Sequence, residues 1–148
     1  MRMVEGAPPT LRRFAVRERG SRFRMAHLRV TPQRVAVLEA LEAADHPTAE
    51  VLVGALRGRV SPATVYNTLA TLRARGMVAV IDGPGGRRYD PNLRPHPHLR
   101  CEGCGQVSDL PGGGAEAWAG IQVPPGWRPT GLSLVILGIC PACAAEAR

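Results

Sequence analysis

Two Cys-x-x-Cys pairs, Cys101/Cys104 and Cys140/Cys143, set the main constraint on how the end of this chain can fold. Each pair forms a tight knuckle that presents two sulfurs to one point, so the four thiolates can wrap a single tetrahedral Zn2+. The stretch between them, Gly105 to Ile139, is longer than in a compact zinc ribbon, so secondary structure must fill it and carry the second knuckle back to the first. Two disulfides or a redox pair are the competing readings of the same spacing, and disulfides need an oxidising compartment. Met1 to Gly20 is Arg-rich and lacks the apolar core of about 7–15 residues that a signal peptide carries. The expectation is a cytoplasmic chain with reduced thiols and no membrane anchor.

With 148 residues, 45% hydrophobic but 4% aromatic, the chain fits one ordinary domain or two small ones whose cores are aliphatic. All 19 basic residues are Arg, and their placement is uneven. Met1 to Asp90 holds 15 Arg against 8 acidic residues, a net charge of +7, whereas Pro91 to Arg148 holds 4 of each. Such asymmetry predicts that the first part meets a polyanion, DNA or RNA, and that the second binds metal or a partner subunit. A solvated Arg-rich face is the alternative.

The local pattern favours DNA. Thr31-Pro32 opens a helix with Pro in its first turn, and Val35, Leu38 and Leu41 recur at helical spacing to about Ala44. Thr48 can cap a second, short helix with Val51, Leu52, Ala55 and Leu56 as its buried set, ending near Gly58. Ser61-Pro62 starts a third, which Gly76 stops. There Val65, Leu69 and Leu72 form an apolar stripe, opposite a polar one of Thr64, Asn67, Thr68, Thr71 and Arg75. Compact donors and acceptors without carboxylates suit a helix lying in a major groove. Met77 to Ile81, a turn at Asp82 to Gly86, and Arg87-Arg88-Tyr89 then read as a hairpin with a basic tip and returning strand. Three helices followed by such a hairpin make a winged helix-turn-helix.

Leu28-Arg-Val-Thr-Pro-Gln-Arg34, His46-Pro-Thr-Ala-Glu50, Ala63-Thr-Val-Tyr-Asn-Thr-Leu69, Arg88-Tyr-Asp90, His96-Pro-His98 and Cys101-Glu-Gly-Cys-Gly105 follow one another in a characteristic order. In that order and spacing, from about Leu28 to Cys143, the chain resembles the ferric uptake regulator superfamily. The resemblance implies a homodimeric, metal-dependent transcription regulator of α+β class. A winged-helix DNA-binding domain (28–90) would follow an Arg-rich extension or first helix (1–27) and precede a small α/β dimerisation domain (91–148) with the four-cysteine structural zinc site. Its partner would be double-stranded DNA with a palindromic operator. Tyr66 matches the family's base-contacting tyrosine, and a helix-packing aromatic is its competing reading. Thr64, Asn67 and Thr71 would share the recognition face, with Arg75, Arg87 and Arg88 on phosphates.

The resemblance also implies a regulatory site between the domains at His46, Asp90, His96, His98 and Asp109. Three imidazoles and two carboxylates without thiolate suit Fe2+ or Mn2+ and accept Zn2+. Independently of the family, His96 and His98 are i, i+2 on an extended segment, so both leave one face. Pro97 between them cannot donate to a sheet, which predicts an edge or irregular strand there. Gln106 to Leu110 can return antiparallel and bring Asp109 near the histidines. Aspartate at Asp109 points to the peroxide-sensing branch, in which Fe2+-catalysed oxidation of a ligand histidine releases metal and DNA; His46 and His96 match the oxidisable positions. A manganese-, iron- or zinc-uptake regulator of the same superfamily is the alternative.

Several features depart from the family. Thr130 to Leu137 carries no histidine, so this strand is expected to be dimer core rather than a third metal site. Gly112-Gly-Gly114 shortens the approach to a helix around Ala115 to Ile121. Phe14, Val16 and Phe23 stand among arginines in the extension, which reads as a DNA-hugging first helix or a partly disordered arm. His27 has no matching role. A zinc deaminase would need His-x-Glu ahead of Pro-Cys-x-x-Cys, and neither string occurs here. A structural zinc adaptor would show one metal per chain and no metal-dependent DNA affinity.

Overall fold

In the computed structural model, residues 16–110, 120–130 and 133–146 are described. Four helices come first: α1 (Val16–Met25), α2 (Pro32–Ala43), α3 (Ala49–Ala55) and α4 (Pro62–Ala74). The caps expected from the sequence are in place. Thr31, Thr48 and Ser61 each accept a hydrogen bond from the backbone N–H three residues on, satisfying a donor that the first helical turn leaves open. Pro32 and Pro62 sit in first turns, where a missing N–H costs nothing. At the end of α4, Gly76 takes φ 63°, and Gly76 N–H and Met77 N–H donate to the carbonyls of Arg73 and Leu72. His27 ends α1 in the same left-handed way, with φ 54°, which is its structural role.

One aliphatic core joins these helices. Phe23, Leu38, Leu41, Leu52, Leu56, Leu69 and Leu72 are all essentially inaccessible, and each such side chain contributes about 1.5–3 kcal/mol of transfer free energy. Phe23 draws α1 into this core. Its arginines reinforce the docking: Arg19 Nε and Arg22 Nη1 donate to the two oxygens of the buried Glu42 at 2.7 and 2.8 Å. Phe14 lies outside the described residues.

Some expected burial shifts by a position. On α3 the buried set is Ala49, Leu52 and Leu56, while Val51 and Ala55 face solvent. A seven-residue helix can bury only one stripe, and those two stand a residue off it. Thr68, expected on the outward polar stripe of α4, is buried at 4% exposure because it shares the i, i+3, i+4, i+7 stripe of Val65, Leu69 and Leu72.

The wing follows as an antiparallel pair, β1 (Ala79–Ile81) and β2 (Arg88–Asp90), with Val80 opposite Tyr89. A three-stranded sheet then forms from β3 (His98–Cys101), β4 (Val107–Asp109) and β5 (Val135–Gly138), and α5 (Pro141–Glu146) follows. Strand order is β4-β3-β5, with β4 antiparallel and β5 parallel to β3. The strand after Pro97 is therefore central, not an edge. It begins at His98, whose N–H donates to Leu134 O, and Pro97 contributes only its carbonyl, which accepts from Leu110 N–H. Register places His98 opposite Asp109.

The wing tip rests on the zinc knuckle. A Cβ on Gly105 would stand 2.9 Å from Pro84 O, and one on Gly83 would collide with the Arg100 guanidinium, itself buried at 7% exposure. The run Gly112 to Gly114 and most of the helix expected around Ala115 to Ile121 fall within 111–119, outside the described residues; Gly120 and Ile121, which are described, are not helical. Among the described residues, no helix is long and apolar enough to cross a membrane.

Candidate metal centres and nucleic-acid face

The sulfur cluster forms where β3 ends. Cys101 closes β3, Cys104 follows in a turn, Cys140 comes two residues after β5, and Cys143 lies in α5. One sulfur from each falls within 4.8 Å of the others, with Cys104 Sγ 3.8 Å from Cys140 Sγ, and the cysteines are free rather than disulfide-bonded. Cys140 N–H donates to Cys101 Sγ at 3.2 Å and Cys143 N–H to Cys140 Sγ at 3.5 Å. The amides of Cys140, Cys104 and Gly103 hold the Cys101 thiol down at about 6 against the effect of burial. Cys143, bonded by the thiols of Cys140, Cys104 and Cys101, is pushed up to about 12. Four sulfurs so close, with amides already favouring one thiolate, fit a tetrahedral soft cation.

The second cluster lies where the wing meets the sheet. His46 sits in the α2–α3 link, Asp90 ends β2, His96 precedes β3, His98 begins it, and Asp109 ends β4. One nitrogen or oxygen from each lies within 4.8 Å of the rest. His96 Nε2 is 2.7 Å from Asp109 Oδ1 and 3.1 Å from Asp90 Oδ2; His98 Nε2 is 3.2 Å from Asp90 Oδ2; His46 Nε2 is 3.0 Å from Asp109 Oδ1. His46 Nε2 is buried, yet its approach to the carboxylates is not aligned as a hydrogen bond, and His98 Nδ1 is also buried without a partner. A buried nitrogen left unsatisfied among carboxylates, as His46 Nε2 is, is what a cation would complete.

Two of the imidazoles are aimed from behind. His46 Nδ1 donates to Asp45 Oδ1 at 2.6 Å and His96 Nδ1 to Arg94 O at 2.6 Å, which leaves Nε2 of each facing the cluster. Burial opposes ionisation of Asp90, but the His46 and His98 rings and the Asn92 N–H beside it outweigh that and hold the carboxyl well below its usual range. Burial likewise opposes charge on His46, and the Asp90, Asp45 and Asp109 carboxylates override it, raising the ring to about 8.

That shift sets opposite trends for the empty and the filled site. A raised His46 stabilises the metal-free fold fully below the ordinary value of 6.5, and the effect is lost as pH rises through about 8. A divalent cation must displace the same proton. Its affinity should climb between pH 6.5 and 8 and level above, by up to about tenfold per unit for one displaced proton, as read from Mn2+ titrations across that range. A flat profile would show that His46 does not ligate.

The DNA-facing residues expected from the sequence divide into two groups. Tyr66 is exposed at 46%, outside the core, and its hydroxyl donates to Glu50 Oε1 at 3.0 Å. It lines a groove between α4 and the wing with Asn67, Ala70, Arg73, Arg87 and Tyr89. A second groove joins Thr64, Asn67 and Thr71 to Arg29, Gln33 and Arg34. Arg29, Arg34 and Arg73 are not picked out by the sequence pattern; Arg73 is in the last turn of α4, and Arg29 and Arg34 lie beside that helix. Arg87 pairs with Asp82 across the exposed turn at 2.8 Å, and Arg75 donates to Ala26 O at 3.2 Å from the C-terminal end of α4.

Arg88 departs from expectation. It shares a strand face with Asp90 because side chains alternate, so its guanidinium turns inward and Nη1 donates to His46 O at 3.1 Å rather than facing a phosphate. Asp45 and Ser108 are further residues of the site that sequence alone does not reveal, since nothing in their local pattern marks them.

A winged helix with an exposed polar recognition face, joined through five nitrogen and oxygen donors to a sheet that gathers four thiols, defines a metal-responsive DNA-binding regulator. The profile of the ferric uptake regulator family matches residues 25–123, and the chain belongs to that family. The peroxide operon regulator of Bacillus subtilis is 36% identical over 126 residues, covering 80% of this chain and 86% of that protein. The peroxide-responsive repressor PerR of Staphylococcus aureus is 38% identical over 92 residues, 59% of this chain and 62% of that protein. The solved ferric uptake regulator from Pseudomonas aeruginosa with manganese superposes with a TM-score of 0.66 at 28% identity, over 83% of this chain and 98% of that one.

Proposed function

We propose that this chain is a dimeric, metal-dependent transcription regulator, acting as a repressor, that senses peroxide through oxidation of a ligand histidine. The observation that carries the reading is the His46, Asp90, His96, His98 and Asp109 cluster, whose donors come from both sides of the junction between wing and sheet. His46 and Asp90 belong to the helical and wing part, and the other three to the sheet. A cation held by all five would fix the angle between the two parts. Zn2+ would occupy the Cys101, Cys104, Cys140 and Cys143 cluster, and Fe2+ or Mn2+ the nitrogen and oxygen cluster. DNA-binding residues 28–90, a dimerisation part 91–148 and an extension 1–27 whose helix joins the first core complete the assignment.

Filling the second cluster shifts the population toward the conformer in which two recognition helices stand about 34 Å apart, one per half-site of a palindromic operator. Tyr66, Thr64, Asn67 and Thr71 would read bases, while Arg87 and the newly placed Arg29, Arg34 and Arg73 meet phosphates. A second copy would cover the apolar residues of the sheet, where Leu99 pairs with Ile136 and both are about two-fifths exposed, as 40% and 41%.

Fe2+ held by His46, Asp90, His96, His98 and Asp109 would supply the one-electron redox chemistry that activates hydrogen peroxide beside the ligand imidazoles. In the net reaction one peroxide oxygen enters the ring and the other leaves as water, the ring losing two electrons and the peroxide gaining two. Asp109 and the half-buried His96 form the accessible side of the cluster, which supports oxidation there. The names of the relatives in Bacillus and Staphylococcus support the same branch.

Peptide mass spectrometry tests it. Zinc-loaded protein is given Fe2+ without air and then a small excess of hydrogen peroxide, with a Mn2+ sample as control. One added oxygen on His46 or His96 in the iron sample alone is the expected result. Two bound metals without oxidation would instead make the protein a regulator of metal level.

A further inference from the structure

Asp45 occupies the α2–α3 link beside His46 and takes no part in the five-donor cluster. Its two carboxylate oxygens look in different directions. Oδ1 accepts from His46 Nδ1 at 2.6 Å, and Oδ2 accepts from Ser108 Oγ at 3.1 Å, across 63 residues of sequence. Ser108 is on β4, next to Asp109, so this short chain of bonds crosses the same junction that the five donors cross. We infer that Asp45 is a positioning residue for the metal centre, fixing the nitrogen that His46 presents and fastening the α2–α3 link to β4 through Ser108.

Imidazole chemistry gives the first half of this role. A neutral ring has one N–H and one lone pair, and a carboxylate can only accept, so a carboxylate at Nδ1 keeps the proton there and leaves the Nε2 lone pair for a cation. The three imidazoles of the cluster are not equally served. His96 uses a carbonyl two residues away and His98 Nδ1 has no partner, so among them only His46 is backed by an anion.

Backbone geometry gives the second half. His46 has φ 46°, a conformation few non-glycine residues adopt and one that persists only when surroundings impose it. Arg88 Nη1 holds its carbonyl and Asp45 holds its ring, so both ends of the residue are fixed. The Asp45 side chain itself is 60% exposed, so removing it leaves the hydrophobic core untouched.

This inference rests on the reading that the cluster takes a divalent cation, and the experiment separates the two. Mn2+ is titrated into zinc-loaded wild type, Asp45→Ala, Asp45→Asn, Ser108→Ala and the Asp45→Ala/Ser108→Ala pair. In parallel, 15N-histidine NMR reads the ring tautomers of the metal-free proteins at a pH where the rings are neutral. Asp45→Ala should weaken Mn2+ binding by about 10- to 100-fold, the usual range for partners behind a ligand, and should lose the Nδ1–H form at His46 while His96 keeps its own. Ser108→Ala should weaken binding less, and the double variant no more than Asp45→Ala, because Ser108 acts through Asp45. Asp45→Asn, which keeps an accepting oxygen, should restore part of both signals.

Mn2+ affinity within about twofold of wild type in Asp45→Ala, with zinc content and Tm unchanged, overturns the inference, being far below that range. So does an unaltered His46 tautomer, or loss of zinc and fold in Asp45→Ala. If wild type itself takes up no second metal, the proposed function fails, and the tautomer measurement still decides whether Asp45 sets His46.

Discussion

Cys140→Ser releases the bound zinc and unfolds the C-terminal sheet while the helical part stays folded. Cys140 lies within the sulfur cluster and supplies the N–H that binds Cys101, so the substitution removes one of four ligands from the knuckle that closes β5 and opens α5. Little else holds that sheet. Among the described residues its buried apolar set is Cys101 and Val107, beside the polar His98 and Arg100. Structural zinc contributes about 10–16 kcal/mol of apparent binding free energy in small domains, comparable to or greater than the whole stability of about 5–15 kcal/mol of an ordinary domain. Zinc content should fall to background, amide protection should vanish over residues 135–146, and Leu38 and Leu69 should stay protected in their own core. A variant that keeps zinc and sheet would show that three sulfurs suffice.

His96→Ala removes the whole metal-dependent gain in operator affinity and leaves the metal-independent part. Its Nε2 is 2.7 Å from one carboxylate of the cluster and 3.1 Å from the other, so without it Asp90 and Asp109 lose the ring that stands between them. The coupling that vanishes should lie in the usual allosteric range of about 5- to 150-fold. Fluorescence anisotropy with labelled operator, with and without Mn2+, measures it, and zinc content and Tm serve as controls. Retained activation by metal would move the switch away from this cluster.

The helices and both donor clusters were legible because their signals are local or strictly spaced. Thr31, Thr48, Ser61 and Gly76 mark helix ends by side-chain chemistry or backbone freedom that needs no tertiary context. The cysteine spacing likewise carries its own geometry, and the five nitrogen and oxygen donors followed from the family resemblance. What long-range packing decides was not legible. Thr68 was readable from the helical period it shares with Val65, Leu69 and Leu72, whereas Arg88 faces inward because β2 turns its Asp90 face to His46. Pro97 indicated an edge or an irregular strand; β3 starts only after it, at His98, and β5, arriving in parallel from more than thirty residues on, makes that strand central. Asp45 and Ser108 are 63 residues apart, so only the fold brings them together.

The wing tip and the cysteine knuckle meet backbone to backbone at Gly85 and Gly105, and the Arg100 guanidinium fills the space beside Gly83 that a side chain would need. No side chain cushions the glycine pair, so the two backbones themselves set the spacing. Together with the five-donor cluster and the Asp45–Ser108 bond, this contact ties the two halves of the molecule together at three places. A side chain at Gly105 would press on Pro84 O and lift the wing from that seat.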